Sequence, residues 1–383
     1  MPMHSPFADI ATAIDEMRSG RMIIVVDDED RENEGDLTMA AEMVTPEAVN
    51  FMAKFGRGLI CLAMTPQRLD FLGLGPMSAH NSSRFGTAFT ESIDALGRGV
   101  TTGISAYDRS ETIRCAIDPA TEPADLGRPG HIFPLRAQPG GVLVRPGQTE
   151  AGVDLARLAG LKPAGVICEI MNDDGSMARV PDLVRFSSEH GMKMITVAEL
   201  IRYRLEHDCV IHKTPSAMLP TKYGPLSVTV YGSDFDEEPH VALVFGEPGR
   251  SAQPPLVRLH SRGDGVSAAF LRIAAARGGV LIGRRSEICG PGEYRGEDHG
   301  VVGVFEQRPS VAMGGECRHA DVLIAARILR DLGVDSIRLL SNSPEPVAGL
   351  CLGGVNVVEY VSLPAREPAL ASKREERMLI GAD

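Results

Sequence analysis

Tryptophan is absent from the 383 residues, and aromatic side chains make up only 5% of them. A core without large rings has to be filled by aliphatic side chains packed at high density. Cysteine is sparse: Cys61, Cys115, Cys168, Cys209, Cys289, Cys317 and Cys351 are odd in number, scattered, and never form a CxxC pair. That pattern argues against a disulfide framework and implies reduced thiols in a cytoplasmic protein. No run approaches the ~20 apolar residues of a membrane span. The opening MPMHSPFADI has neither the basic nor the apolar region of a signal peptide. Positive charge is also short, with 39 Lys and Arg against 51 Asp and Glu and a net charge of −12. Neither nucleic acid nor an anionic membrane is therefore an expected partner. An anionic small substrate stays open, because a few local cations can bind phosphate on an acidic protein.

What is present reads as two domains of mixed strands and helices, of α/β (α+β) class. Ser5-Pro6 suits a helix start, and Phe7, Ile10, Ile14 and Met17 recur at helical spacing up to Gly20. Residues 22–26 form a short apolar, β-branched run, hence a strand. Further strands are expected at 59–64, 142–144 and 166–171, with a helix capped by Thr149 and closed by Gly160, and another over 197–207. Pro215, Pro220 and Pro225 mark a boundary. The division expected is a first domain over 1–208, a linker at 209–225, a second domain over 226–370 and a tail at 371–383. In the second domain strands are expected at 226–231, 241–245, 280–283 and 337–340, and helices at 265–276 and 320–332.

Residues 27–36 read DDEDRENEGD, seven carboxylates and one Arg in ten positions. Such a run is ordinarily a solvated turn. Here it leaves the end of an apolar strand and is interrupted by Arg31 and Gly35. That placement also suits a site for a hard divalent cation or for an acid/base with a shifted pKa.

The stretch RENEGD from Arg31 resembles the substrate and metal loop of 3,4-dihydroxy-2-butanone 4-phosphate synthase. Matching motifs follow in order: GRGLICLAM around Cys61, TAFTESIDA from Thr87, GVTTGISAYDR from Gly99, RPGHIFPLRAQPGGVLVRPGQTEAGVDLARLAG from Arg128, and CEIMNDDGSMAR from Cys168. The likeness covers roughly residues 8–207. It implies a lyase that converts ribulose 5-phosphate into 3,4-dihydroxy-2-butanone 4-phosphate and formate, with two Mg²⁺ or Mn²⁺ ions at a homodimer site. By the same resemblance Glu32 binds metal, and Arg31, Glu32, Asp36, Thr102, Arg145, Gly147, Thr149 and Glu169 contact substrate. Arg145 and Thr149 would take the phosphate at a helix start. His131 and Glu169 would handle protons, with Cys61 and Glu34 beside them. Read without the family, Cys61 is equally a small core residue and His131 a hydrogen-bonded core histidine.

One position departs from the pattern. Where the family has a metal-ligating His, this chain has Gln148, whose amide oxygen suits hard cations but which is a weaker donor towards transition ions. Retained lyase chemistry is the expected outcome. The alternatives are a non-catalytic or regulatory protein and a lyase for a different ketose phosphate.

From about residue 219 the chain resembles GTP cyclohydrolase II in LPTKYGP, HVALVFGE, VRLHSRGD and DLGVDSIRLLSNSP. The family's three zinc thiolates should follow the VRLHS motif, but Arg262, Gly263, Asp264 and Gly265 stand there. Its catalytic Asp-x-Arg aligns with Arg318 and Ala320. Neither zinc nor GTP hydrolysis is expected in this half. Arg258, His260 and Arg284-Arg285 are left either as an anion site or as packing and surface residues.

Overall fold

Strands with unbroken apolar runs organise the first half, and helices cover them. The structure, a computed structural model, describes residues 6–208, 211–221, 223–250, 253–260, 266–276, 278–289, 318–341 and 346–362. It divides into two units, residues 1–204 and 205–383. The calls on Ser5, on 261–265, 290–317 and 342–345, and on the tail at 371–383 lie outside the described residues.

Unit 1 contains α1 (Ile10–Arg18), β1 (Ile23–Val26), β2 (Gly35–Ala40), α2 (Pro46–Phe51), β3 (Cys61–Met64), α3 (Pro66–Phe71), β4 (Ile93–Ala95), α4 (Ala106–Ile117), β5 (Leu126–Arg136), α5 (Gln148–Leu158), β6 (Ala164–Glu169), α6 (Val180–His190), β7 (Lys193–Thr196) and α7 (Val197–His207). The sheet order is β4-β5-β3-β6-β2-β1-β7. It is mixed: β3 runs parallel to β5 and β1 to β7, and the other pairs are antiparallel. Every residue of β1, β2 and β3 is buried, as expected of strands covered on both faces. On one face Leu37, Met39, Leu62, Met64 and Val166 pack with residues of α2 and α4 into a largely aliphatic core. The other face is covered by α5. That helix lies close because Gly152 on α5 meets Gly165 on β6: a Cβ on Gly165 would stand 2.8 Å from the Gly152 carbonyl carbon.

Several local expectations change. Asp9 caps α1, accepting from the Thr12 N–H at 2.7 Å. Residues 142–144 are not a strand: Gly140 and Gly141 both take positive φ and turn the chain into a short 3₁₀ turn, Gly141–Leu143. Helix α5 starts two residues early, with Gly147 rather than Thr149 at the cap and Gln148 as its first residue.

Unit 2 adds β8 (Ile211–Lys213), β9 (Ala217–Thr221), β10 (Gly224–Ser233), β11 (Asp236–Phe245), β12 (Leu256–His260), α8 (Val266–Ala275), β13 (Gly279–Arg284), α9 (Arg285–Cys289), α10 (His319–Asp331), β14 (Ser336–Leu340), α11 (Pro346–Leu352) and β15 (Asn356–Val361). Its sheet order is β15-β14-β12-β13-β11-β10-β8, with β9 also on β10. The expected linker at 209–225 is therefore partly strand. Pro220 pairs with Pro225 across β9 and β10. A proline can occupy a strand with a free edge, where its missing N–H costs no ladder bond.

Asp154 on α5 and Arg204 on α7 form a buried ion pair at 2.8 Å, with side chains 6% and 8% exposed. The same carboxylate accepts the Val142 N–H at 2.9 Å. Arg204→Met leaves that charge buried without its partner and is expected to cost unit 1 about 3–5 kcal/mol. Adding Asp154→Asn, which keeps an acceptor for Val142 and drops the charge, should restore part of it. Denaturant unfolding of the three proteins measures both; equal midpoints for wild type and Arg204→Met would refute the expectation.

Candidate active site

The acidic stretch after β1 divides into three parts. Asp28, Glu29 and Asp30 are exposed, as a solvated turn would have them. Asp27 is buried and structural. Its carboxylate accepts from Arg31 Nη1 at 2.6 Å, from the Glu32 N–H at 3.3 Å and from the Glu34 N–H at 2.9 Å, which closes the loop on itself. Arg179, the residue before α6, clasps the loop from outside by donating to the carbonyls of Glu32, at 2.8 Å, and Asn33. Glu32, Glu34 and Asp36 are left for a site. Asp36 is a buried strand residue rather than a loop residue.

Strand register brings the rest together. Asp36 on β2 lies opposite Glu169 on β6, and Cys61 on β3 opposite Ile167. Side chains alternate across a strand. Asp36, Cys61 and Glu169 therefore share the face that α5 covers, at the end where α5 begins. Gln148 and Thr149 of its first turn reach the same place. Together with Arg31, Arg145, Phe85, Thr87 and Phe89 they line one cavity of about 260 Å³. Gly147 is pinched here: a Cβ would stand 2.8 Å from Arg145 Nη1 and 3.2 Å from Arg31 Nη2. Two guanidiniums thus converge beside the N-terminus of α5, where helix N–H groups add positive potential.

Arg31, Glu32, Glu34, Asp36, Cys61, Arg145, Gln148, Thr149 and Glu169 are all cavity residues. Gly147 supports the cavity without lining it. His131 and Thr102 are elsewhere on the chain. His131 lies on β5 two residues before Phe133, the residue paired with Cys61, and so beyond the start of β3. Its side chain is 43% exposed, and its Nδ1 is 2.7 Å from Asp94 Oδ2. The His131 N–H also donates to Asp94 Oδ1 at 2.9 Å. The loop with exposed Thr102 packs on that pair, since a Cβ on Gly103 would meet Asp94 Oδ2 at 2.1 Å and His131 Nδ1 at 2.5 Å. The expected residues therefore form two loci. Sequence reasoning did not single out Asp94, Phe85 or Arg179. Only Asp94 left a trace, as a carboxylate between apolar Ile93 and Ala95.

The cavity is electrostatically unbalanced. Burial and the neighbouring Glu169, Glu32 and Glu34 push Asp36 well above the ordinary carboxylate range. Burial raises Glu34, with Glu32 adding to it. Burial also raises Glu32, against the pull of Arg31. Cys61 is pushed up by burial and by Glu169 and Asp36, so its thiol is neutral rather than a thiolate. Asp36 Oδ1 is buried without a hydrogen bond. Glu169 Oε2 accepts the Leu59 N–H at 2.8 Å. Carboxylates crowded this way suit a divalent cation. Among the described residues no three His, Cys, Asp or Glu side chains are placed to hold an ion by themselves. The fit is therefore to Mg²⁺-like ions, which use one or two carboxylates and fill the remaining positions with water and substrate oxygens. Gln148 Nε2 donates to the Glu34 carbonyl at 3.1 Å, leaving its Oε1 as the donor atom for a cation.

In unit 2 the candidate anion residue Arg284 is already engaged. It pairs with Asp236, Glu238 and Asp321, and Arg318 joins Asp236 at 2.6 Å and Asp321 at 3.0 Å. Arg258 donates to the Leu340 carbonyl at 2.9 Å.

Residues 11–203 match the 3,4-dihydroxy-2-butanone 4-phosphate synthase family, and residues 212–362 match GTP cyclohydrolase II. The riboflavin biosynthesis protein RibBA of Aquifex aeolicus is 48% identical over 379 residues, covering 93% of this chain and 92% of that protein. RibBA of Bacillus cereus is 43% identical over 383 residues, covering 94% and 95%. Among solved structures, RibBX, a two-domain 3,4-dihydroxy-2-butanone 4-phosphate synthase from A. baumannii, has a TM-score of 0.69 at 37% identity, covering 94% of this chain and 100% of that one. A 3,4-dihydroxy-2-butanone 4-phosphate synthase in complex with two magnesium ions has a TM-score of 0.51 at 42% identity, covering 53% and 99%. On these matches the chain belongs to the 3,4-dihydroxy-2-butanone 4-phosphate synthases of riboflavin biosynthesis, with a GTP cyclohydrolase II family domain in its second half.

Proposed function

We propose that the cavity at the start of α5 converts ribulose 5-phosphate into 3,4-dihydroxy-2-butanone 4-phosphate and formate with the help of divalent cations. One observation carries this reading: four carboxylates, two guanidiniums and Gln148 line a single small cavity. At about 260 Å³ it falls below the ~300–1,000 Å³ usual for drug-sized ligands, which suits a five-carbon sugar phosphate better than a nucleotide. Arg31, Arg145 and the first turn of α5 with Thr149 bind the phosphate. Glu32 and Gln148 would hold Mg²⁺ or Mn²⁺, which when bound supplies positive charge beside the ketose oxygens. Asp36 touches the sugar hydroxyls, and Glu34 and the neutral Cys61 thiol lie beside the reacting carbons. Glu169, kept in place by the Leu59 N–H, handles protons on one side of the substrate. His131, oriented by Asp94, handles them on the other.

For His131 to act there, a second copy of the chain has to supply it. Its separation from the cavity supports a homodimer whose sites each combine one copy's cavity with the other copy's Asp94, His131 and Thr102. The surroundings of the pair support this too, since Leu96, Ile104 and Tyr107 are 60%, 54% and 47% exposed. Apolar side chains gathered near a polar pair suit a covered face. The second domain, by contrast, turns over no GTP: its VRLHS motif lacks the thiolates, and its Arg284 is spent on three carboxylates.

With Mg²⁺ or Mn²⁺ the protein is expected to release one formate per ribulose 5-phosphate consumed. EDTA should stop it, His131→Ala should slow it about 100-fold or more, and GTP should stay intact. Formate release from ribulose 5-phosphate no faster than from the His131→Ala protein would sink the assignment.

The shared site makes a separate prediction. His131→Ala and Glu169→Gln should each be inactive, yet subunits mixed and allowed to re-pair should recover roughly a quarter of wild-type activity. Half the dimers are then mixed, and one of the two sites in each has both groups intact. No recovery, in a sample shown to contain mixed dimers, excludes a site built from two copies.

A further inference from the structure

Glu150 lies two residues from Gln148 in the first turn of α5, beside the proposed phosphate site. A carboxylate there weakens the positive field an anion needs, so its presence calls for a reason. The side chain is fully buried and does not line the cavity. Both oxygens are taken: Oε1 accepts the Gln138 N–H at 3.0 Å, and Oε2 accepts Arg145 Nη1 at 2.8 Å. On the other edge of the guanidinium, Arg145 Nη2 donates to the Phe85 carbonyl at 3.1 Å. Gly147 leaves just enough space for this clasp, since a Cβ would come within 2.9 Å of Glu150 Oε2. One turn later Asp154 takes the Val142 N–H, so two acids on α5 fasten the segment that carries Arg145. Arg145 is also close enough to Glu32 for its charge to be felt there. An untethered guanidinium would be drawn towards that carboxylate and into the cation site.

We propose that Glu150 is a positioning residue for substrate binding, holding Arg145 between its carboxylate and the Phe85 carbonyl so that the remaining guanidinium N–H groups meet the phosphate. This rests on the assignment of Arg145 to phosphate given above. A flexible arginine becomes a preorganised donor, and the ordering cost is met in folding rather than in binding. The expected signature is selective: weaker binding with little change in the chemical step.

The test is a double-mutant cycle in the full chain, using Arg145→Lys, Glu150→Gln and the double variant. Each is assayed for KM and kcat on ribulose 5-phosphate and, by calorimetry, for Kd of inorganic phosphate. A glutamine at 150 meets two donors with only one oxygen, so it breaks one of the two bonds. Arg145→Lys should raise KM and Kd about tenfold. Glu150→Gln should raise both about fivefold and leave kcat within about threefold. The double variant should be no worse than Arg145→Lys, because Glu150 acts through Arg145. The proposal is overturned if Glu150→Gln lowers kcat at unchanged KM, or if the two effects multiply. An Arg145→Lys protein with unchanged KM and Kd instead removes the phosphate role of Arg145, a different failure that leaves Glu150 nothing to position. If Glu150→Gln is unfolded at the assay temperature, Glu150→Asp, which withdraws the carboxylate by one methylene, is compared in its place.

Discussion

Two carboxylates face each other across the centre of the first sheet, where the register of β2 and β6 sets Asp36 opposite Glu169. Like charges at directly opposed strand positions destabilise a sheet, and here one of them is buried with an oxygen that accepts no hydrogen bond. Much of the surrounding structure reads as an answer to that constraint. The strands carrying the pair are otherwise buried and mostly apolar. The Leu59 N–H donates to one Glu169 oxygen, Arg31 and Arg145 bring positive charge to the cavity, and burial, with the same carboxylates, keeps the Cys61 thiol neutral. What stays uncompensated is the demand for a cation, which fits a family in which one solved member holds two magnesium ions.

The elements that carry that cavity could be read from the chain alone, because they are local; which of their side chains belong to one site came from the resemblance of their motifs to the family. Strand β1 shows as a β-branched run, the acidic loop as a charge cluster at its end, and α5 as a periodic segment before Gly160. Where the reading failed, the information was not local. Residues 142–144 look like a strand, but Gly140 and Gly141 can take positive φ and the Val142 N–H finds Asp154 twelve residues away. Strand β5 was not expected because Pro129 and Pro134 interrupt it. The two prolines survive in an eleven-residue strand that borders short β4 on one side and four-residue β3 on the other. Motif order placed His131 with the site, but a motif does not say how far along a strand a side chain falls. The register with β3 does, and it puts His131 outside the cavity of its own chain.

Glu150 shows the same limit from another side. In sequence it is one more acid in a helical first turn, where acids are common because they complement the dipole. Only the packing shows that both its oxygens are turned away from solvent and onto Gln138 and Arg145.

The two halves differ in what they do with charge. In unit 1, burial holds Glu32, Glu34 and Asp36 above their ordinary range, and neighbouring carboxylates add to it. In unit 2, the acids Asp236, Glu238 and Asp321 are matched by Arg284 and Arg318, with His240 Nε2 a further 3.2 Å from Asp321. Every nitrogen of Arg284 donates to one of these acids, whereas Arg145 keeps N–H groups beyond its bonds to Glu150 and the Phe85 carbonyl. The unit 2 network ties β11 and β13 to the start of α10.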